Sequence, residues 1–280
     1  MTHGASDPAS PDGERRPSVR RRTTAPFGRR RAPVVDRCEY GPYVVLRCVD
    51  ADGPAPQPGQ FYMLASVARW GGGEGERPFL PRAFSVLRAT EDGELHFLLE
   101  AVGPGTKRLG ELADGDELWL AGPFGVGFTP PGEGRRALLA GGGVGIAPLA
   151  IWQDELGLGA TVVLGFRDAA HAEGAAVLAE ARLATDDGSI GHRGLVTELL
   201  TEELDRDPHA TVYACGPPPM LEAVRALCAG RGVPAQLALE SGMACGYGAC
   251  FGCVVPTKDG YVRLCLEGPV LDAATLEHVA

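Results

Sequence analysis

Four cysteines, Cys245, Cys250, Cys253 and Cys265, stand in the arrangement C-x4-C-x2-C-x11-C. Four thiolates at that spacing suit a [2Fe–2S] cluster, whose plant-type ligand pattern sets three cysteines close together and brings the fourth from further along the chain. Gly242, Gly246, Gly248 and Gly252 lie among them. They leave the backbone free to wrap a cluster and to turn amides toward its sulfides. The stretches Cys253-Val-Val-Pro-Thr and Tyr261-Val-Arg-Leu-Cys265 flank Lys258-Asp259-Gly260, which predicts a hairpin that returns the fourth ligand to the other three. Structural zinc also uses four cysteines, but zinc ribbons pair two C-x2–4-C knuckles, and Cys265 stands alone. A disulfide scaffold is expected in shorter secreted chains.

Three further stretches carry binding chemistry. Arg82-Ala83-Phe84-Ser85 puts a cation, an aromatic face and a hydroxyl on one predicted strand, where Arg and Ser suit a pyrophosphate. Gly103-Pro104-Gly105-Thr106 ends a strand and opens a helix, offering free amides and a hydroxyl to phosphate. Taken singly, each also reads as an ordinary barrel strand or an ordinary capped turn. The run Ala140-Gly141-Gly142-Gly143-Val144-Gly145-Ile146-Ala147-Pro148-Leu149 links a strand to a helix, the setting of nucleotide-binding loops. It departs from G-x-G-x-x-G, since Pro148 takes the last position. Cys215-Gly216-Pro217 ends a later strand at the sheet edge where open α/β folds bind ligands. Cys215 is there either a small packed residue or a thiol near a nicotinamide. The six histidines are scattered and read as surface or packing residues. No Ser/His/Asp arrangement stands out.

These residues need two kinds of element to position them. Residues 43–49, 60–65, 82–87, 94–100 and 117–121 alternate apolar and polar side chains between Gly, Pro and Asp turns, which predicts a small antiparallel barrel with one short helix near Thr106–Glu111. After Pro130-Pro131 the pattern becomes strand–helix alternation. It predicts strands at 136–140, 160–166, 210–214 and 235–239, and helices at 148–156, 172–182, 195–204 and 219–229. That is a doubly wound parallel sheet. The expected division is a basic tail (1–32), a β barrel (33–131), a nucleotide-binding α/β domain (132–239) and a cluster-binding lobe (240–280).

The chain has 280 residues, 45% of them hydrophobic, enough for more than one core. No apolar run approaches the ~20 residues that span a bilayer, so no membrane role is expected. The net charge of −10 conceals eight arginines within residues 1–32 against three acidic side chains, a basic tail on an acidic body. With Pro, Ser and Thr between its arginines the tail reads as disordered. Its Arg pairs lack the hydrophobic stretch of an export signal, and the acidic body argues against nucleic-acid binding. Free thiols point to the cytoplasm.

In this order, Arg-x-x-Ser, Gly-x-Gly-Thr, Gly-Gly-x-Gly-x-Ala-Pro-Leu, Cys-Gly-Pro-x-Pro-Met and the terminal cysteine set ending in Glu267-Gly268-Pro269-Val270, the motifs over residues 34–272 resemble the electron-transfer subunits of two-subunit, NAD-linked dihydroorotate dehydrogenases. Those proteins belong to the ferredoxin–NADP reductase superfamily. The resemblance implies FAD in the barrel, NAD(H) on the sheet and a [2Fe–2S] lobe relaying electrons to an FMN-containing catalytic subunit in a heterotetramer of two plus two. Carried over, Arg82, Ala83, Phe84, Ser85, Leu98, Leu99, Glu100, Gly105 and Thr106 would contact FAD. The arginine-rich N-terminal extension and the glycine-rich insertion at Gly71 depart from the pattern. A flavin between the other two groups is chemically required, because hydride carries two electrons and the cluster takes one. The reductase or diaphorase lobe of another iron–sulfur flavoenzyme complex is the alternative, and a zinc-stabilised binding module with a nucleic-acid-binding tail is a more distant one. NADH is the expected nucleotide, since Asp168 beside the lone Arg167 would oppose a 2′-phosphate.

Overall fold

The computed structural model describes residues 28–71, 78–157 and 159–279. Six strands, β1 (Arg30–Tyr40), β2 (Tyr43–Val49), β3 (Phe61–Ser66), β4 (Arg82–Ala89), β5 (Glu94–Glu100) and β6 (Glu117–Phe124), close an antiparallel barrel in the order β1-β2-β5-β4-β3-β6. A short helix, α1 (Pro104–Gly110), follows β5.

The barrel strands alternate, but both of their faces are apolar where the wall is covered. In β3, Tyr62 and Leu64 fill the barrel interior, while Phe61 and Met63 join a core shared with the α/β half and the cysteine lobe. In β2, Val44, Leu46 and Cys48 point inward, and Tyr43 and Val45 pack on the other side against the nucleotide half. The two halves are therefore held by the reverse face of the barrel wall.

The first strand starts within the expected tail. Ala32 and Val34 are buried. Arg30 sends Nε and Nη2 to the carboxylate of Asp50 at 2.7 and 2.6 Å and reaches the Gly122 carbonyl at 2.7 Å. Its charges and proline hide this strand in the sequence, because the barrel needs only Ala32 and Val34 from it. Residues 1–27 of the tail, and 72–77 of the Gly71 insertion, lie outside the described residues.

The second half is a seven-stranded sheet. Its strands are β7 (Arg136–Gly142), β8 (Thr161–Phe166), β9 (Ala181–Thr185), β10 (His192–Arg193), β11 (Ala210–Cys215), β12 (Ala235–Ala238) and β15 (Val270–Asp272), in the order β10-β9-β8-β7-β11-β12-β15. All pair in parallel except β15, which runs antiparallel to β12. Helices α2 (Ala147–Leu156), α4 (Val196–Arg206) and α5 (Pro218–Arg231) cover it.

The helix expected over 172–182 does not form. A four-residue helix, α3 (Ala169–Ala172), passes into a 3-10 turn at Glu173–Val177, and the chain then enters β9. Glu180 takes a positive φ of 51°, which ends any helix there. Beyond it the sheet needs a neighbour for β8, and Leu183 pairs with Leu164. Helix propensity of an alanine-rich run is a weak term beside a missing strand.

The predicted hairpin forms as β13 (Val254–Thr257) and β14 (Gly260–Arg263). No helix among the described residues is long and apolar enough to cross a membrane.

Candidate functional site

The four cysteines come together as two pairs. The Leu264 amide donates to the Cys253 carbonyl at the open end of the hairpin, which sets the Cys253 and Cys265 sulfurs 3.2 Å apart in a buried position. Burial and the neighbouring Cys253 thiol push Cys265 up to about 12. Cys245 has the opposite balance. Burial raises it, but hydrogen bonds from the Cys250 and Tyr247 amides, the Cys250 thiol and the Ala249 amide outweigh that and bring it down to about 7.

Two thiols at each of two places suit two irons better than one ion at the centre of four ligands. Among the described residues no three ligating side chains already converge on one point. Amides turned toward sulfur, including Gly252 N–H on Cys250 Sγ at 3.5 Å, match the wrapping expected of the glycines.

A cleft of about 290 Å³ runs along β4 and holds Arg82, Ala83, Phe84 and Ser85 in its wall, with Leu98, Glu100 and Thr106 opposite. The Arg82 guanidinium rests against the first turn of α1: a Cβ at Gly105 would sit 2.7 Å from Arg82 Nε, so a larger residue there would displace the guanidinium from its present position. Arg82 is turned further by its Nη1, which donates to the Leu80 carbonyl at 2.5 Å. The Thr106 hydroxyl is engaged with Gly103, accepting its N–H at 3.0 Å and donating to its carbonyl at 3.1 Å. Leu99 points into the barrel core instead. Phe61, Glu240, Met243 and Pro269, which carry no binding motif of their own, also line this wall. The last three come from the cysteine lobe, and Met243 stands two residues before Cys245.

A second cleft, about 680 Å³, opens at the carboxyl ends of the parallel strands and is lined by Gly142, Gly143, Gly145, Gly216 and Pro217. The backbone there is packed to its limit, since a Cβ on Gly145 would lie 2.6 Å from the Cys215 carbonyl. Gly141 is enclosed between Leu164, Leu149 and Ile146, and Pro148 is buried at the start of α2. Cys215 is 1% exposed, and burial pushes its thiol well up. These three support the loop from behind and stand outside the cleft wall.

Asp168 is also placed elsewhere. It caps α3, accepting from the His171 amide at 3.0 Å and contacting its ring Nδ1 at 2.6 Å, and those contacts lower its pKa. Asp186, which follows β9, lines the cleft in its stead, beside Glu100 and Glu240. His171 and Tyr43 line it too and pack edge to face at 5.9 Å.

Glu100, Val144 and Glu240 line both clefts, which therefore adjoin. Glu240 is exposed as a residue, but its carboxyl is desolvated among these walls and its pKa is raised by that burial. A third hollow of about 1120 Å³ has Cys245 and Cys265 in its wall, with Trp70, Trp119, Phe79 and Tyr247 around them.

Residues 240–277 match the iron–sulfur cluster binding domain of dihydroorotate dehydrogenase B. The chain is 38% identical over 224 residues, 78% of its length and 86% of the relative's, to the electron transfer subunit of dihydroorotate dehydrogenase B (NAD(+)) from Caldanaerobacter subterraneus subsp. tengcongensis. It is 39% identical over 231 residues to the protein of that name from Geobacillus thermodenitrificans, covering 85% of it. An NADH-dependent reduced ferredoxin–NADP oxidoreductase structure superposes with a TM-score of 0.73 at 24% identity, over 88% of this chain and 90% of that one, and so shares the fold. The chain thus belongs to the family of dihydroorotate dehydrogenase B electron transfer subunits.

Proposed function

We propose that this protein passes electrons between NAD(H) and a separate, FMN-containing subunit that oxidises dihydroorotate to orotate, using its own FAD and [2Fe–2S] cluster. The observation that carries this reading is the succession of sites: a nucleotide cleft shares Glu100, Val144 and Glu240 with a second cleft, and the second reaches Met243, beside the cysteine pairs. FAD supplies the exchange between the two-electron hydride of NADH and the one-electron capacity of the cluster.

The protein's part is to bind and orient. Arg82 and Ser85 hold the FAD diphosphate on β4, and Ala83, Phe84 and Leu98 offer backbone and apolar surface beside them. Gly143 and Gly145 bring amides to the dinucleotide diphosphate. Cys245, Cys250, Cys253 and Cys265 would hold the cluster. The barrel domain takes FAD, the parallel sheet takes NAD(H), and the hairpin lobe takes the cluster. The hollow beside Cys245 and Cys265 supplies the partner's approach, in an assembly of two plus two.

Purification of the tagged chain from its own cells tests this. The expected result is co-purification of a dihydroorotate-oxidising flavoprotein, with FAD and iron–sulfur absorption in the complex. A partner of unrelated chemistry would sink the reading, as would a colourless chain carrying stoichiometric zinc.

A further inference from the structure

The nucleotide cleft has a charge problem. A pyridine dinucleotide brings two negative charges on its diphosphate, yet Glu100, Asp186 and Glu240 already line the cleft. Among its described lining residues Arg167 is the one arginine or lysine, and it is not free. Its Nη2 donates to Glu100 Oε1 at 3.1 Å, and His171 Nε2 lies 3.6 Å from the same oxygen.

Arg167 follows β8 at the carboxyl edge of the sheet, whereas Glu100 ends β5 of the barrel. The pair therefore ties the two halves across the space where the clefts adjoin. Its cation is also poised to move: the Arg167 side chain is 61% exposed and Glu100 only 19%. An exposed ion pair is weak, while an arginine on a diphosphate makes charge-assisted, bidentate contacts.

We infer that Arg167 is a nucleotide-positioning residue held in reserve by Glu100, and that the diphosphate of NAD(H) binds by taking Arg167 from Glu100. The barrel carboxylate is then a competitor of the nucleotide, and its removal strengthens nucleotide binding. A purely architectural strap has the opposite sign. The inference rests on the reading that this cleft takes NAD(H), and it goes beyond it by naming the exchange of partners on Arg167.

The experiment measures ADP-ribose, which carries the diphosphate without the nicotinamide, by calorimetry on the FAD-loaded protein with FAD content matched by absorbance. Arg167→Ala should weaken ADP-ribose about tenfold, the size of one lost charged hydrogen bond, and Arg167→Lys should fall between the two. Glu100→Gln should tighten it several-fold, and that gain should shrink in the double variant with Arg167→Ala, where one carboxylate charge is still removed but there is no arginine left to release. With NADH as reductant, Arg167→Ala should raise KM and leave kcat for flavin reduction close to the wild-type value. Unchanged ADP-ribose affinity in Arg167→Ala overturns the inference, as does an unchanged or weaker affinity in Glu100→Gln or a gain that is undiminished in the double variant. Failure of the wild-type protein to bind ADP-ribose would instead overturn the assignment of the cleft itself.

Discussion

Cys250 is the exposed member of the four thiols, whereas Cys253 and Cys265 are buried. Cys250→Ser places a hard hydroxyl where a soft thiolate is needed, so the cluster should be lost while FAD and its reduction by NADH persist, the flavin clefts being built from other residues. Cys228→Ser is the matched control: Cys228, on the buried face of α5, is 1% exposed, and its replacement should cost about 1 kcal/mol of stability with the cluster intact. Anaerobic reduction by NADH, with flavin bleaching and the reduced-cluster EPR signal followed separately, reads both outcomes. Nucleotide choice also belongs to single side chains. With Asp186 in the cleft wall, a 2′-phosphate meets a carboxylate, so kcat/KM should favour NADH over NADPH, and Asp186→Ser should narrow that ratio several-fold. An unchanged ratio in the variant would remove Asp186 from this role.

At the level of elements, β1 is anchored by one buried ion pair. Asp50 is 4% exposed and takes both of its bonds from Arg30, so Arg30→Ala strands a buried carboxylate. Such a loss costs about 3–5 kcal/mol, and thermal melting should show it in a variant whose change lies at the edge of the arginine-rich segment. The last helix carries a pH-dependent contact. Arg225 on α5 holds the Glu222 carboxyl down to about 2, against the opposing effect of burial, with help from the Val279 amide. A depressed carboxylate contributes stability that is fully present above its ordinary pKa near 4.5 and is lost as pH falls toward 2. Because the pair is partly solvated, the amount is about 0.2–1 kcal/mol. Denaturant unfolding between pH 5 and 2.5 should therefore fall less steeply in Glu222→Gln than in the wild type.

Across the whole molecule the cysteine lobe is stitched into the sheet it follows. After Cys265 the chain returns as β15 beside β12, with Leu237 paired to Leu271, and Val270, Leu271, Ala273 and Leu276 sink into the cores of the α/β half. Ending the chain after Pro269 removes these side chains and uncovers the apolar surface they pack against, at about 1.5–3 kcal/mol for each large one lost. The truncated protein should lose cooperative melting of the nucleotide half and ADP-ribose binding together with the cluster. Loss of the cluster alone would mean that the lobe folds as an independent appendage.

The chemistry was readable along the chain because it is local. Ligand spacing, a glycine run between a strand and a helix, and alternation in β2 and β5 are properties of neighbouring residues, and those two strands begin and end where the pattern placed them. What depends on distant partners was not readable. β1 is a strand because β2 and β6 hold it on both edges, and the 172–182 run yields to β9 because β8 requires a partner. Arg167 faces Glu100, and Asp186 rather than Asp168 reaches the cleft, through the closing of a barrel on a sheet. Contacts of that kind depend on how two remote surfaces meet, which residue types and spacing do not encode.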